Sequence, residues 1–182
     1  MKKLFFASVC ALTLLSCGRE ESEIQAENQK TIASLQSKKE NSSLKDIFDQ
    51  NYIYRYYSNS LMKHYYGSQT GPIGQHNWSN EGLAFKTSKA PITLYGLALY
   101  VNPNNLDMVI AVSIHDRTYL EASGYVLREE LGWPAQPGAP GTFPVYRYYR
   151  SSKNGHFYTK NLAELGTGGN GWTYEGITFH SY

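Results

Sequence analysis

Cysteine is nearly absent from this 182-residue chain: Cys10 and Cys17 are the only two. Both lie in the first seventeen residues, so no disulfide and no thiolate metal site is available to anything that folds after them. Tyrosine and tryptophan are missing before Tyr52, which leaves the first fifty residues without the rings that dominate the rest. The main apolar run, Leu4–Leu15, is shorter than the roughly 20 residues of a permanent membrane-spanning helix. An excess of one charge is missing too, with 17 basic against 15 acidic residues, and that balance argues against nucleic acid as a partner. No Gly-x-Ser-x-Gly, His-Glu-x-x-His or calcium-loop pattern occurs. The one literal Gly-x-Gly-x-x-Gly, at Gly166–Gly171, is followed by no βαβ unit and reads as loop chemistry, not as a dinucleotide site.

What is present at the start is a targeting pattern. Lys2 and Lys3 precede the apolar run, the order of a secretory signal and not of a folded element. The run closes with Leu14-Leu15-Ser16-Cys17-Gly18, which resembles the lipobox of bacterial lipoproteins. That resemblance implies cleavage after residue 16 and acylation of Cys17, the alternative being an ordinary signal peptide with an incidental cysteine. Removal of Lys2 and Lys3 leaves 15 basic and 15 acidic residues. Acyl chains, at about 0.8 kcal/mol per buried CH₂, would hold the protein on a membrane.

Residues 17–50 form a polar stretch in which Ile24, Ile32 and Leu35 make no sustained heptad, so a tether with partial helix at most is expected. Glu20, Glu21 and Glu23 follow the anchor directly. This acidic cluster resembles the export signal of surface lipoproteins in Bacteroidetes-type bacteria and implies the outer face of the outer membrane. The alternatives are a solvated charge run and the periplasmic face.

From residue 51 the sequence repeats itself. Tyr54-Arg55-Tyr56-Tyr57 returns as Tyr146-Arg147-Tyr148-Tyr149, His64-Tyr65-Tyr66 as His156-Phe157-Tyr158, and Trp78 with Glu81-Gly82 as Trp172 with Glu175-Gly176. The interval between the copies leaves room for one more unit. A degenerate one is read there by setting Leu94-Tyr95-Gly96 against Val145-Tyr146-Arg147 and Glu129–Trp133 against Glu175–Phe179. Three units, about 51–91, 92–143 and 144–182, are expected to make one domain, because a unit of about 40 residues cannot bury a core alone.

Within a unit the pattern predicts strand, turn, strand, a variable connection and a last strand. In the third, Val145–Tyr149 and His156–Thr159 are the first two strands, Asn161 caps a helical turn over Lys160–Leu165, and Trp172–Phe179 is the last, with Gly176 at a bulge. The expected fold is mostly β: a pseudo-threefold closed domain, trefoil-like, with no free edge. A small propeller-like arrangement is the alternative.

The third unit closely resembles a tandem repeat of unknown function found in secreted bacterial and fungal proteins. Its pattern, Val-Tyr-Arg-x-Tyr, then His-Phe-Tyr-Thr, then Gly-Trp-x-Tyr-Glu-Gly-Ile-x-Phe, is matched by Val145–Tyr149, His156–Thr159 and Gly171–Phe179. The first unit matches less fully and the middle one weakly. The resemblance implies an accessory module of an exported protein, for which carbohydrate binding is a common suggestion, and implies no catalytic residue.

All 16 tyrosines lie beyond residue 51, suited either to a thin core with wet edges or to stacking on a ligand. The candidate ligand-binding residues are Arg55, His64, Tyr66, Trp78 and Glu81 of the first unit and Arg147, His156, Tyr158, Trp172 and Glu175 of the third. Strand alternation puts His156 with Tyr158 on one face and Phe157 with Thr159 on the other. The histidine is thereby set to bond the repeated glutamate within its unit, or to face a ligand. Adjacent Glu129 and Glu130 should point to opposite faces, a poor start for a catalytic carboxylate pair. The function expected is a non-catalytic surface lipoprotein that binds an extracellular glycan or envelope polymer, without metal or cofactor. A structural or protein-interaction module is the alternative, and a small hydrolase the less favoured third reading.

Overall fold

A computed structural model describes residues 29–34, 49–68 and 76–182. The signal segment, Cys17 and most of the expected tether lie outside the described residues. Residues 29–34 form an exposed helical stretch, α1, and are one part of a unit separate from the domain that begins near Lys45.

The domain is mostly β. Its elements in order are β1 (Gln50–Ser58), β2 (Lys63–Gly67), β3 (Trp78–Ser88), β4 (Leu97–Val101), β5 (Met108–Ala111), helix α2 (Ile114–Ala122), β6 (Val126–Gly132), β7 (Phe143–Arg150), β8 (Gly155–Thr159), the two-residue β9 (Gly168–Gly169) and β10 (Trp172–Ser181). They make three antiparallel sheets, β2-β1-β3, β5-β4-β6 and β8-β7-β10-β9. Each is a hairpin whose first strand also pairs with the strand that closes the segment. None closes into a barrel. The trefoil-like closure expected from sequence, and its propeller-like alternative, therefore give way to the plainer description of three small sheets packed together.

An edge strand remains in every sheet, contrary to the expectation that no edge is left free, and tyrosine hydroxyls cover part of the exposed backbone. The Tyr66 hydroxyl accepts from Tyr158 N at 2.7 Å and donates to Tyr158 O at 2.9 Å. The Tyr158 hydroxyl in turn accepts from Ile110 N at 2.9 Å. Edge β8 is thus satisfied by a side chain from β2, and edge β5 by one from β8. Unpaired edge groups are otherwise templates for association, and a buried N–H without a partner costs about 1–3 kcal/mol.

One core joins all three sheets, with Ile53, Phe85, Leu97, Leu99, Ile110, Val145, Tyr158 and Phe179 among its members. A second cluster, Ala98, Tyr100, Val109, Ala111 and Leu120, lies between the middle sheet and α2. Strand β4 is therefore buried on both faces, with Leu97, Ala98, Leu99 and Tyr100 no more than 1% exposed. A strand covered on both sides needs apolar residues continuously, and alternation is lost. That is why the middle segment reads as a poor copy.

Register also corrects the sequence alignment of this segment. Arg55 pairs with Tyr66 and Arg147 with Tyr158, and the corresponding pair in the middle sheet is Leu99 with Ile110. Leu97-Ala98-Leu99, not Leu94-Tyr95-Gly96, occupies the place of Val145-Tyr146-Arg147. Helix α2 fills the connection that was expected to hold a short turn. Ser113 caps it by accepting from Asp116 N at 3.1 Å, and Asp116 accepts from Val112 N at 3.0 Å. Together they satisfy two amides at the helix start.

Candidate functional site

The bulge in each third strand explains the repeated Glu-Gly pair. In β10 the register skips between Tyr174, opposite Tyr148, and Gly176, opposite Arg147. In β3 it skips between Asn80, opposite Tyr56, and Gly82, opposite Arg55. The extra residue is the glutamate, Glu175 or Glu81, and the glycine after it has φ of +103° or +102°, a conformation that side chains with a Cβ rarely adopt. The bulge turns the glutamate to the arginine on the neighbouring strand. Arg55 Nε lies 2.8 Å from Glu81 Oε2, and Arg147 Nε 2.8 Å from Glu175 Oε2.

The histidines stand on the same face, as alternation required. His64 Nε2 is 3.5 Å from Glu81 and His156 Nε2 is 3.6 Å from Glu175. At that reach the glutamate is an ionic neighbour, and its close partner is the arginine. Each set also crosses a seam between sheets. Arg55 reaches Glu164 in the turn after β8 at 3.1 Å, with its guanidinium 4.9 Å from the centre of the Phe157 ring. His156 Nδ1 lies 2.9 and 3.0 Å from the two oxygens of buried Asp107, which accepts from the Tyr125 hydroxyl at 2.8 Å.

The two histidines differ on their far side. The counterpart of Asp107 beside His64 is Gly155, as the registers of the three hairpins β1–β2, β4–β5 and β7–β8 place it. His64 Nδ1 is consequently buried with no hydrogen-bond partner, while its ring packs edge-on against Phe157 at 4.8 Å. Burial, reinforced by the Arg55 charge, drives the His64 pKa down to about 3. At Asp107, burial alone would raise the carboxyl. Its bonds to His156 and Tyr125 and the charge of Lys63 outweigh that and hold it below the ordinary value. Lys63 is itself buried and donates to Asn105 O at 2.6 Å and Asn154 O at 2.7 Å, fastening the first sheet to hairpin turns of the other two. Burial depresses its pKa against the opposing charge of Asp107.

The remaining predicted residues are structural in position. Tyr66 and Tyr158 are 0% exposed, their hydroxyls bonded to backbone, and Tyr158 lies at the floor of the cleft beside Arg55. Trp78 packs on Tyr65 at 6.1 Å, and Trp172 on Phe157 at 5.6 Å, each roofing the aromatic pair of its own hairpin. In the middle sheet α2 and Tyr125 do this work through the second core cluster. Glu129 and Glu130 diverge as expected. Glu129 accepts from the Tyr65 hydroxyl and Ser68 N, both at 3.0 Å, while Glu130 takes a two-pronged bond from Arg117 at 2.6 and 2.8 Å.

Clefts open beside the wired sets at corresponding places of two seams. One, about 220 Å³, is bordered by Arg55, Glu81, Lys160, Asn161 and Glu164. The other, about 300 Å³, is bordered by Arg147, His156, Tyr125 and the Asp116, Tyr119 and Ser123 side of α2. Asn161 and Ser113, the caps of the two following helical turns, hold equivalent positions. Sequence reasoning identified Arg147 and His156 but missed Asp107, Tyr119 and Tyr125. The only local mark of their setting was the Ser113-x-x-Asp116 cap signature. Among the described residues no group of three or more His, Cys, Asp or Glu side chains could hold a metal ion.

Residues 52–182 match a family described as a domain of unknown function, DUF5648. Neither a curated protein nor a solved structure is significantly similar to the chain.

Proposed function

The chain belongs to this family of unknown function, and from its own geometry we propose that it is a non-catalytic binding module for an extracellular glycan or envelope polymer. The reading rests on the cleft between the middle and third sheets. Tyr119 is 72% exposed at its rim, and Tyr125, Arg147, His156 and Ser123 line it. An aromatic ring beside a few fixed polar groups is the usual make-up of a small-ligand site, and the volume is at the lower end of such sites. The polar groups are already paired, Arg147 with Glu175 and His156 with Asp107. Held by these partners, Arg147 and His156 present their polar edges to the cleft in fixed orientation, which supports recognition of a ligand. Of the residues singled out from sequence, Arg147 and His156 belong to this site, and Arg55 and Glu81 to its smaller counterpart.

The experiment is binding of the full chain to a panel of immobilised neutral polysaccharides. Tyr119→Ala should weaken the best interaction by roughly tenfold, about 1.4 kcal/mol. Retention of none of the panel by the wild-type chain would sink the proposal.

A second reading, a structural or interaction module, draws on the wiring across the seams. It expects His156→Ala and Glu175→Ala to lower the melting temperature non-additively; simple additivity counts against it. In both readings the domain is carried on a lipid at Cys17, with the outer membrane surface as its location. Replacing Cys17 by Ser should move the protein from the membrane to the soluble fraction, and unchanged fractionation would refute the anchor.

A further inference from the structure

Helix α2 separates two clefts. Asp116, Tyr119, Leu120 and Ser123 face the cleft described above. Ile114 and Arg117 face another, of about 380 Å³, which Tyr95, Gly96, Leu94, Glu130 and Trp133 complete. The register of β4 freed these residues. Because the strand starts at Leu97, Leu94 and Tyr95 stand outside the sheet, 84% and 39% exposed, with Ile114 44% exposed beside them. Two rings and two aliphatic side chains so placed border an apolar recess. Gly96 lies against Trp133, a Cβ there falling 3.5 Å from the indole, so the loop is seated on the tryptophan.

The polar part of the recess is fixed. Arg117 Nη1 and Nη2 bond the two oxygens of Glu130, and Nη2 also donates to Gly96 O at 3.0 Å. A bidentate pair of this kind is rigid and self-neutralised. In the first cleft Arg147 is paired with Glu175, His156 Nδ1 lies against Asp107, and Asp116 accepts from Val112 N. The arginine of each cleft is therefore already matched by a carboxylate, and neither offers a free guanidinium to an anionic ligand. Both offer ring faces with planar hydrogen-bonding edges, which match a sugar ring with its C–H face and hydroxyl rim.

We propose that the two clefts form one extended site straddling α2, and that its ligand is a linear neutral polysaccharide bound along its length. This rests on the binding function proposed above and adds to it the class of ligand and a second subsite. An α-helix with its side chains is about 10–12 Å across, so a fragment must span that distance to occupy both clefts. Linking two subsites through one ligand multiplies affinity without new contacts, by a factor of about 10² or more in favourable geometry.

The test uses the full chain and a length series of fragments from whichever neutral polysaccharide of the panel it retains. Wild type should show a step of about 10²-fold in affinity once fragments are long enough to cross the helix. Tyr95→Ala should keep wild-type affinity for short fragments and lose the step. Leu94→Glu, at a position too exposed to unfold the domain, should do the same and serves as the second variant. Tyr119→Ala should weaken short and long fragments alike. If both the Tyr95 and Leu94 variants keep the step, or wild type has none, the extended site is refuted while the binding function stands. If wild type retains no polysaccharide, the binding function falls first and the extended site with it.

Discussion

Replacing His64 by Gln should remove about 2 kcal/mol of acid destabilisation from this domain between pH 8 and pH 5. The His64 side chain is 11% exposed, its Nδ1 has no partner, and its pKa is driven to about 3 by burial and the Arg55 charge. An unfolded chain restores an ordinary value near 6.5. Below about pH 6.5 the unfolded state therefore binds a proton that the folded state refuses, so stability is full above that pH and is lost as pH falls towards 3. At pH 5 the gap corresponds to about 2 kcal/mol. That is a large part of the stability of a small domain. Urea unfolding at pH 8 and pH 5 gives the change for wild type and for His64→Gln, and groups common to both cancel in the difference. The pH 5 window also stays above the range where Asp107, whose pKa is lowered, would begin to be protonated. The variant should be less stable at pH 8 through lost ring packing, yet lose about 2 kcal/mol less on acidification. An equal loss in both proteins would show that His64 titrates normally and that its burial does not control it.

Three further outcomes follow from the same geometry. Gly155→Asp should supply His64 with the carboxylate that Asp107 gives His156, since a Cβ at Gly155 meets nothing closer than Lys63 Cγ at 3.5 Å. The His64 pKa should rise in an NMR titration of the ring protons, and an unmoved resonance refutes the equivalence of the two seams. Lys63→Met leaves the carbonyls of Asn105 and Asn154 without their shared charged donor and should cost about 1–3 kcal/mol. An unchanged urea midpoint contradicts this. Tyr158→Phe should strip the Ile110 amide of its acceptor, for a loss of similar size, and speed hydrogen exchange at that amide above that of its β5 neighbours. Exchange as slow as in wild type would mean that the edge of β5 is protected by something else.

The third segment was legible because its residues answer to local rules. Val145–Tyr149 and His156–Thr159 are β-prone runs around turn chemistry, Asn161 accepts from Ala163 N as a cap, and Gly176 marks a bulge. The middle segment was misaligned because its strand is buried on both faces under α2, which erased the alternation that locates a strand. The candidate site divides in the same way. The Arg-Glu-His set could be found by its repetition, while Asp107 and Glu164, which complete it across seams, come from elements far away in sequence with no fixed spacing to read. Trp78 and Trp172 looked like ligand platforms, yet each lies over an aromatic pair that sequence could not place beneath it.

By itself the sequence determined which residues pair within a hairpin and which share a face, because strand period and turn chemistry act over a few neighbouring residues. It also determined that no disulfide could stabilise the domain, since both cysteines precede it. Tertiary structure alone decided how three edged sheets meet. Gly132 shows why: its φ is +89°, and a Cβ there would lie 2.3 Å from Asn51 Nδ2 and 2.5 Å from Ser88 O. The last residue of one sheet is held bare by the close approach of another. The same kind of contact leaves one repeated histidine with a carboxylate and the other with none, because a side chain's pKa and exposure depend on neighbours that only the folded chain assembles.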